Sequence, residues 1–159
     1  MLRDPNLIPL SRQHQHALAL CVQIERAPQT GAVDLGAWQL EVQQLYANEV
    51  QFHFTAEEEV LFPAARRLPE LIALVEELSV EHGRLREYFG RAEQGTMDEG
   101  ELQAFAKLLS LHIRKEERQL FEAIQMQMRP EELKSLGDEL ARALEDAVQA
   151  CRLRPGPPS

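Results

Sequence analysis

Two segments of the chain carry the same side chains at the same spacing: His53-Phe54-Thr55-Ala56-Glu57-Glu58-Glu59-Val60-Leu61-Phe62-Pro63-Ala64 and His112-Ile113-Arg114-Lys115-Glu116-Glu117-Arg118-Gln119-Leu120-Phe121-Glu122-Ala123. Histidine, a doubled glutamate, Leu-Phe and alanine coincide. In a helix, residues four apart stand one turn apart on one face, so His53 can lie over Glu57 and His112 over Glu116. An imidazole and a carboxylate paired in this way can grip one metal ion.

The neighbours decide which way each pair points. Tyr46 and Leu61 flank His53 at seven and eight residues, and Phe105 and Leu120 stand in the same relation to His112. That stripe is the apolar, inward one. A carboxylate buried without a partner costs on the order of several kcal/mol even after relaxation. Two of them therefore need positive charge inside, and the inner stripes hold no Lys or Arg to provide it. A multivalent metal ion is the natural compensation.

Upstream of each segment is a second match, Leu10-x-x-x-His14 with Leu18 beyond and Leu78-x-x-x-His82 with Leu85 beyond, so the chain reads as a helix pair used twice, over residues 7 to 67 and 69 to 128. His14 and His82 fall on inner stripes by the same test. Four imidazoles and two carboxylates suit iron, manganese or zinc, and a carboxylate can span two ions held roughly 3.5 to 4 Å apart. His14, His53, His82 and His112 are assigned as terminal nitrogen ligands, Glu57 and Glu116 as bridging oxygens. His16 lies about 200° around the helix from His14 and is read as a surface residue or one that supports a ligand from behind. Glu58, Glu59 and Glu117 are expected in solvent or paired with Arg or Lys, Glu49 on the surface or as an acceptor behind His53, Tyr88 in packing, Tyr46 in packing or donating a hydrogen bond near the metals, and Cys21 as a small core residue.

The elements that must position these groups read as helices throughout. Runs of Val, Ile and Thr with two-residue alternation are missing, whereas Leu, Ala, Glu, Gln and Arg recur at three- and four-residue spacing. The first helix is predicted from about Pro5 or Leu7 to Arg26, ended by Pro28-Gln29-Thr30-Gly31. Asp34 caps the second, which runs toward Arg67 with a kink or stop expected at Pro63. Pro69 opens the third, with Gly90 near its end. Thr96 and Glu99 read as a capping box for the fourth, and Pro130 begins a fifth that ends near Cys151. Met126 and Met128 are expected to cover apolar surface where the fifth helix docks. The predicted fold is all-α, an up-down-up-down four-helix bundle with an additional C-terminal helix. A single domain is expected over residues 1–152, with its metal-binding core at 7–128 and the extra helix at about 130–152, followed by a disordered tail at 153–159.

Composition narrows the partners. The net charge of −9 leaves no basic surplus for phosphates, so nucleic acid is not expected. No apolar run is long enough to span a membrane, and the start of the chain has no export-type segment. Two cysteines far apart, Cys21 and Cys151, fit unpaired thiols in a reducing compartment, and a cytoplasmic location is expected. Either a monomer or a homodimer is compatible with the sequence.

With the six donors placed, the chain resembles the hemerythrin-like proteins of the His-His-Glu cation-binding group over about residues 7 to 128, each of His14, His53, Glu57, His82, His112 and Glu116 landing on a family motif position. The resemblance implies a four-helix bundle holding two non-haem iron ions, joined by an oxo or hydroxo bridge, that meets dioxygen, nitric oxide or peroxide. It departs from the oxygen-carrying hemerythrins, which place His-x-x-x-His on the third helix and an aspartate on the fourth. A single His82 and the His112/Glu116 pair favour redox, gas-responsive or iron-handling members over oxygen carriage.

The leading expectation is thus a di-iron binding protein whose partner is a small diatomic ligand or oxidant. The alternatives are a di-iron enzyme with ferroxidase or peroxidase-like activity and a zinc- or manganese-binding variant. The Glu-x-x-His of ferritin-type sites does not occur, nor does the His-Glu-x-x-His of zinc hydrolases.

Overall fold

The computed structural model describes residues 1–152, without the side chains of residues 150 and 151; the expected disordered tail and the thiol of Cys151 lie outside the described residues. The fold is all helix: α1 (Ile8–Arg26), α2 (35–65), α3 (Ile72–Gln94), α4 (99–127) and α5 (Pro130–Arg152). The first four are the long helices of a bundle. α1 packs along α4, α2 along α3 and α3 along α4, while α5 lies against α2. Among the described residues, no helix is long and apolar enough to cross a membrane.

Local chemistry explains most boundaries. Asp34 caps α2, its carboxylate accepting from the Ala37 amide at 3.0 Å. α3 runs past Gly90 and ends at Gly95, which takes the left-handed φ of 68° that a side chain disfavours. Its amide donates to Ala92 O at 3.1 Å and that of Thr96 to Arg91 O at 3.0 Å, closing the helix end. Because Thr96 is spent on that closure, the expected Thr96/Glu99 box does not form. The box is Asp98 and Glu101 instead: Glu101 N–H donates to Asp98 at 2.8 Å, and Asp98 N–H to Glu101 at 3.0 Å. Pro69 begins a short 3₁₀ turn, Pro69–Leu71, ahead of α3.

α2 ends at Ala65, two residues past Pro63, close to the end expected there. The turn before it, Glu57–Leu61, is a π-turn in which Phe62 N–H donates to Glu57 O, five residues back. α4 repeats it over Glu116–Leu120, with Phe121 N–H donating to Glu116 O. Glu122 stands there in the place of Pro63, so the proline does not create the wide turn. Each π-turn shifts the inner face by one residue. A regular helix would carry burial from Glu57 to 60, 61 and 64; the buried residues are Leu61, Phe62 and Ala65, and after Glu116 they are Leu120, Phe121 and Ile124. This is why Leu and Phe stand side by side in both repeats. α2 carries another π-turn at Tyr46–Val50.

The apolar core forms two clusters. One gathers Leu7, Leu10, Leu61, Phe62, Leu78, Leu120 and Phe121 with Leu133, Leu136 and Leu140 of α5. The other gathers Ala17, Cys21, Val50, Phe54, Leu85, Phe89, Phe105 and Ile113. On every bundle helix the sequence-selected histidine lies between residues of the two clusters, so a polar layer crosses the middle of an otherwise apolar interior. Met128 joins the first cluster as expected, but Met126 is 72 % exposed and covers nothing.

Candidate metal centre

His14, His53, Glu57, His82, His112 and Glu116 all converge in that layer, each at most 4 % exposed. They form two overlapping groups of close donor atoms, His14/His53/Glu57/Glu116 and His82/His112/Glu57/Glu116. Glu57 turns one oxygen to each group, Oε1 lying 3.0 Å from His53 Nε2 and Oε2 3.2 Å from His82 Nε2. Glu116 mirrors it, with Oε2 3.1 Å from His14 Nε2 and Oε1 3.2 Å from His112 Nε2. The Nε2 atoms of His14 and His53 face each other at 2.9 Å. Two donors each about 2.1 Å from one ion, at right angles, stand roughly 3 Å apart. The spacing fits.

The unsatisfied atoms point the same way. Among the described residues, all four oxygens of Glu57 and Glu116, and Nε2 of His82 and His112, are buried without a hydrogen-bond partner. Orphaned buried groups of this kind are rare and costly. No Lys or Arg among the described residues is buried beside them. Two overlapping buried His/Glu clusters of this form are consistent with a binuclear metal site.

Behind the layer, each imidazole is held from its far nitrogen. His14 Nδ1–H donates to Glu117 at 2.7 Å, His53 to Gln13 at 2.8 Å, His82 to Glu58 at 2.8 Å and His112 to Glu81 at 2.8 Å. This fixes the tautomer so that Nε2 is the atom offered inward. The supports are themselves anchored: Arg3 and Ser11 bond Glu117, Arg86 bonds Glu58, and Lys115 bonds Glu81. The pattern follows the repeat. The second glutamate of each doublet crosses to the lone histidine of the other half, and the residue before each lone histidine holds the His-x-x-x-Glu histidine of its own half.

Glu58 and Glu117 are thus paired with arginine as expected, but they also carry an imidazole, which the sequence reading missed along with Gln13 and Glu81. The repeat held the signal: Gln13 and Glu81 occupy matching places, each immediately before its lone histidine. Aromatic rings complete the clamp. Phe121 stacks on His14 with centroids 5.5 Å apart, Phe62 on His82 at 5.3 Å, and Phe54 on His82 at 3.8 Å. Tyr46 packs on Phe89 at 4.5 Å. His16 is exposed and bonds Glu49 at 2.8 Å on the surface.

Without a bound ion, protons do the neutralising. Burial opposes charging His14, but Glu116 and Glu117 outweigh it and push its pKa up to about 9. Burial likewise opposes charging His112, and Glu116 with Glu81 raises it to about 10. Burial would lift the carboxyl of Glu116, yet His112 and His14 hold it well below the usual range. Hydrogen bonding to His82, then to Arg86, brings Glu58 down to about 2. Ligand groups must give up such protons to a metal, so ion binding at these residues would release protons.

The hemerythrin HHE cation binding domain description matches residues 9–124, a span containing all six converging side chains. The chain belongs to the hemerythrin HHE family. Neither a curated protein nor a solved structure matches it. The hemerythrin fold accounts for the bundle and for a polar layer at mid-height. α5 lies beyond the matched span and packs with both Leu-Phe pairs in the first apolar cluster.

One cavity adjoins the polar layer. It holds about 20 Å³ and is lined by His14, His53, His112 and Glu116 on one side and by Ala17, Val50, Phe54, Leu109 and Ile113 on the other, with Gln13 and Glu49 beside them. A space of roughly 10 to 15 Å³ by this measure admits one water.

Proposed function

We propose that this chain is a non-haem di-iron protein that binds or responds to a diatomic gas or a small oxidant, with His14 and His53 holding one ion, His82 and His112 the other, and Glu57 and Glu116 bridging both. The observation that carries the reading is the pair of buried glutamates whose four oxygens lack hydrogen bonds and face two imidazole pairs. The donor set of nitrogens and carboxylate oxygens suits iron, and also manganese or zinc. Iron in this setting supplies redox chemistry and open positions for a small ligand.

The protein's part is to hold and to exclude. Glu117, Gln13, Glu58 and Glu81 hold the four imidazoles with Nε2 turned inward, so that once any Nε2 proton is released the rings need no rotation to meet an ion. Phe54, Val50, Leu109, Ile113 and Ala17 keep the adjoining cavity apolar and small, which favours dioxygen, nitric oxide or peroxide over any carbon substrate. Sensing, scavenging and iron handling are all compatible with such a site.

The test separates metal from gas. Reduced, iron-loaded protein mixed anaerobically with nitric oxide, or with dioxygen, is expected to change its optical spectrum with saturation at about one molecule per chain. Ala17→Val narrows the cavity by two methyl groups and should slow that change while leaving iron content intact. A loaded protein indifferent to nitric oxide, dioxygen and peroxide would overturn the gas and oxidant reading.

A further inference from the structure

The donors and their supports repeat across the two halves of the bundle with one exception. Glu81, preceding His82, accepts from His112 Nδ1–H at 2.8 Å; the matching place before His14 is Gln13, which accepts from His53 Nδ1–H at the same 2.8 Å. The His14/His53 position therefore rests on one carboxylate, Glu117, and one neutral amide. The His82/His112 position rests on two carboxylates, Glu58 and Glu81. Each of the three carboxylates has its own cation, in Arg3, Arg86 or Lys115, so the uneven element is the amide and not the supply of positive charge.

A carboxylate accepting from Nδ1–H draws on that proton and leaves more electron density at Nε2, which strengthens the bond from Nε2 to an ion. An amide oxygen does this less, because hydrogen bonds to ionised acceptors are about twice as strong as neutral ones. Glu57 and Glu116 give one oxygen to each position, so their contribution is shared equally. Exposure adds to the difference. Both imidazoles of the first position border the cavity, together with Gln13, while only His112 of the second does.

We infer that Gln13 makes the two ion positions unequal: the His82/His112 position takes its ion first and keeps it, and the His14/His53 position holds the weaker, exchangeable ion. Gln13 and Glu81 act as positioning residues in this, through the imidazoles they hold. The inference rests on the proposed two-metal reading and assigns an order to its loading.

Anaerobic titration of the metal-free protein with Fe(II), followed by calorimetry, tests it in four variants. Two ions sharing the same carboxylates repel, so two binding steps alone do not decide the matter. Gln13→Glu is expected to tighten the weaker step by about ten-fold, a gain that damage to the fold cannot produce, and Glu81→Gln to weaken the tighter step by about 10- to 100-fold. His53→Ala should keep the tight step, and His112→Ala should lose it. The inference is overturned if Gln13→Glu leaves both steps where they are, or if His53→Ala is the variant that loses the tight one. Wild-type protein that takes up no Fe(II) at all would instead overturn the two-metal reading beneath it.

Discussion

His14 on α1 donates from Nδ1 to Glu117 on α4 across 2.7 Å, and His82 on α3 donates in the same way to Glu58 on α2 across 2.8 Å. The doubled glutamate of each repeat is thus divided between two tasks. Its first member enters the centre and its second crosses the bundle to steady the partner half's lone histidine. Glu117→Gln and Glu58→Gln, which keep the shape and remove the charge, are each expected to lower metal affinity by about 10- to 100-fold. Metal titration checks this, with Glu59→Gln as an exposed control expected to change nothing. Equal affinities in all three variants would assign Glu58 and Glu117 to the surface.

The two histidines of α1 offer a sharper contrast. His14 is buried in the polar layer, whereas His16 points outward and pairs with Glu49. His14→Ala should remove at least one ion per chain from purified protein. His16→Ala should leave metal content unchanged, because an exposed His–Glu pair contributes little and touches none of the six donors. Elemental analysis of the two variants reads the difference directly.

Stability of the metal-free protein should depend on pH in a definite direction. His14 and His112 have pKa values raised from 6.5 to about 9 and about 10. A raised imidazole stabilises the folded state fully below 6.5 and loses that contribution as pH rises through the folded value. Glu57 and Glu116, both lowered from 4.5, contribute above that value and lose it as pH falls further. The melting temperature of metal-free protein is therefore expected to decline between pH 7 and 10. Loaded protein, in which ions replace those protons, should decline less. A metal-free profile flat across that range would contradict the arrangement of charges.

α5 is held by a close approach that can be tested apart from the metals. A Cβ on Gly137 would lie 2.6 Å from Cβ of Asn6, whose side chain is fixed by a 2.9 Å bond to Asp4. In an open helix Gly→Ala gains about 1 kcal/mol. Here the clash dominates, and Gly137→Ala is expected to destabilise by about 1 to 3 kcal/mol. Denaturant unfolding measures it, and metal content should be unaffected.

Much of the centre was legible in the chain because burial and spacing both follow the helical period. His14, His82 and the two His-x-x-x-Glu pairs sit on apolar stripes, and the structure brings all six into one layer. What escaped depends on departures from that period or on contacts between helices. The π-turns at Glu57 and Glu116 insert a residue into the stripe, which a fixed 3.6-residue reading cannot register. The sequence reads Thr96 with Glu99 as the cap of α4, but the left-handed turn at Gly95 uses the Thr96 amide to close α3, and Asp98 takes the capping role instead. The hold of Gln13 on His53 and of Glu81 on His112 follows from how paired helices are rotated, although the repeat had placed both residues in register.

The central claim is a centre for two metal ions built from these six side chains. Its most direct test is elemental analysis of protein purified after iron-replete expression, beside Glu57→Ala and Glu116→Ala. About two irons per chain in the natural protein, lost in both variants, is the expected result. A single zinc, or no metal in the natural protein, would contradict it.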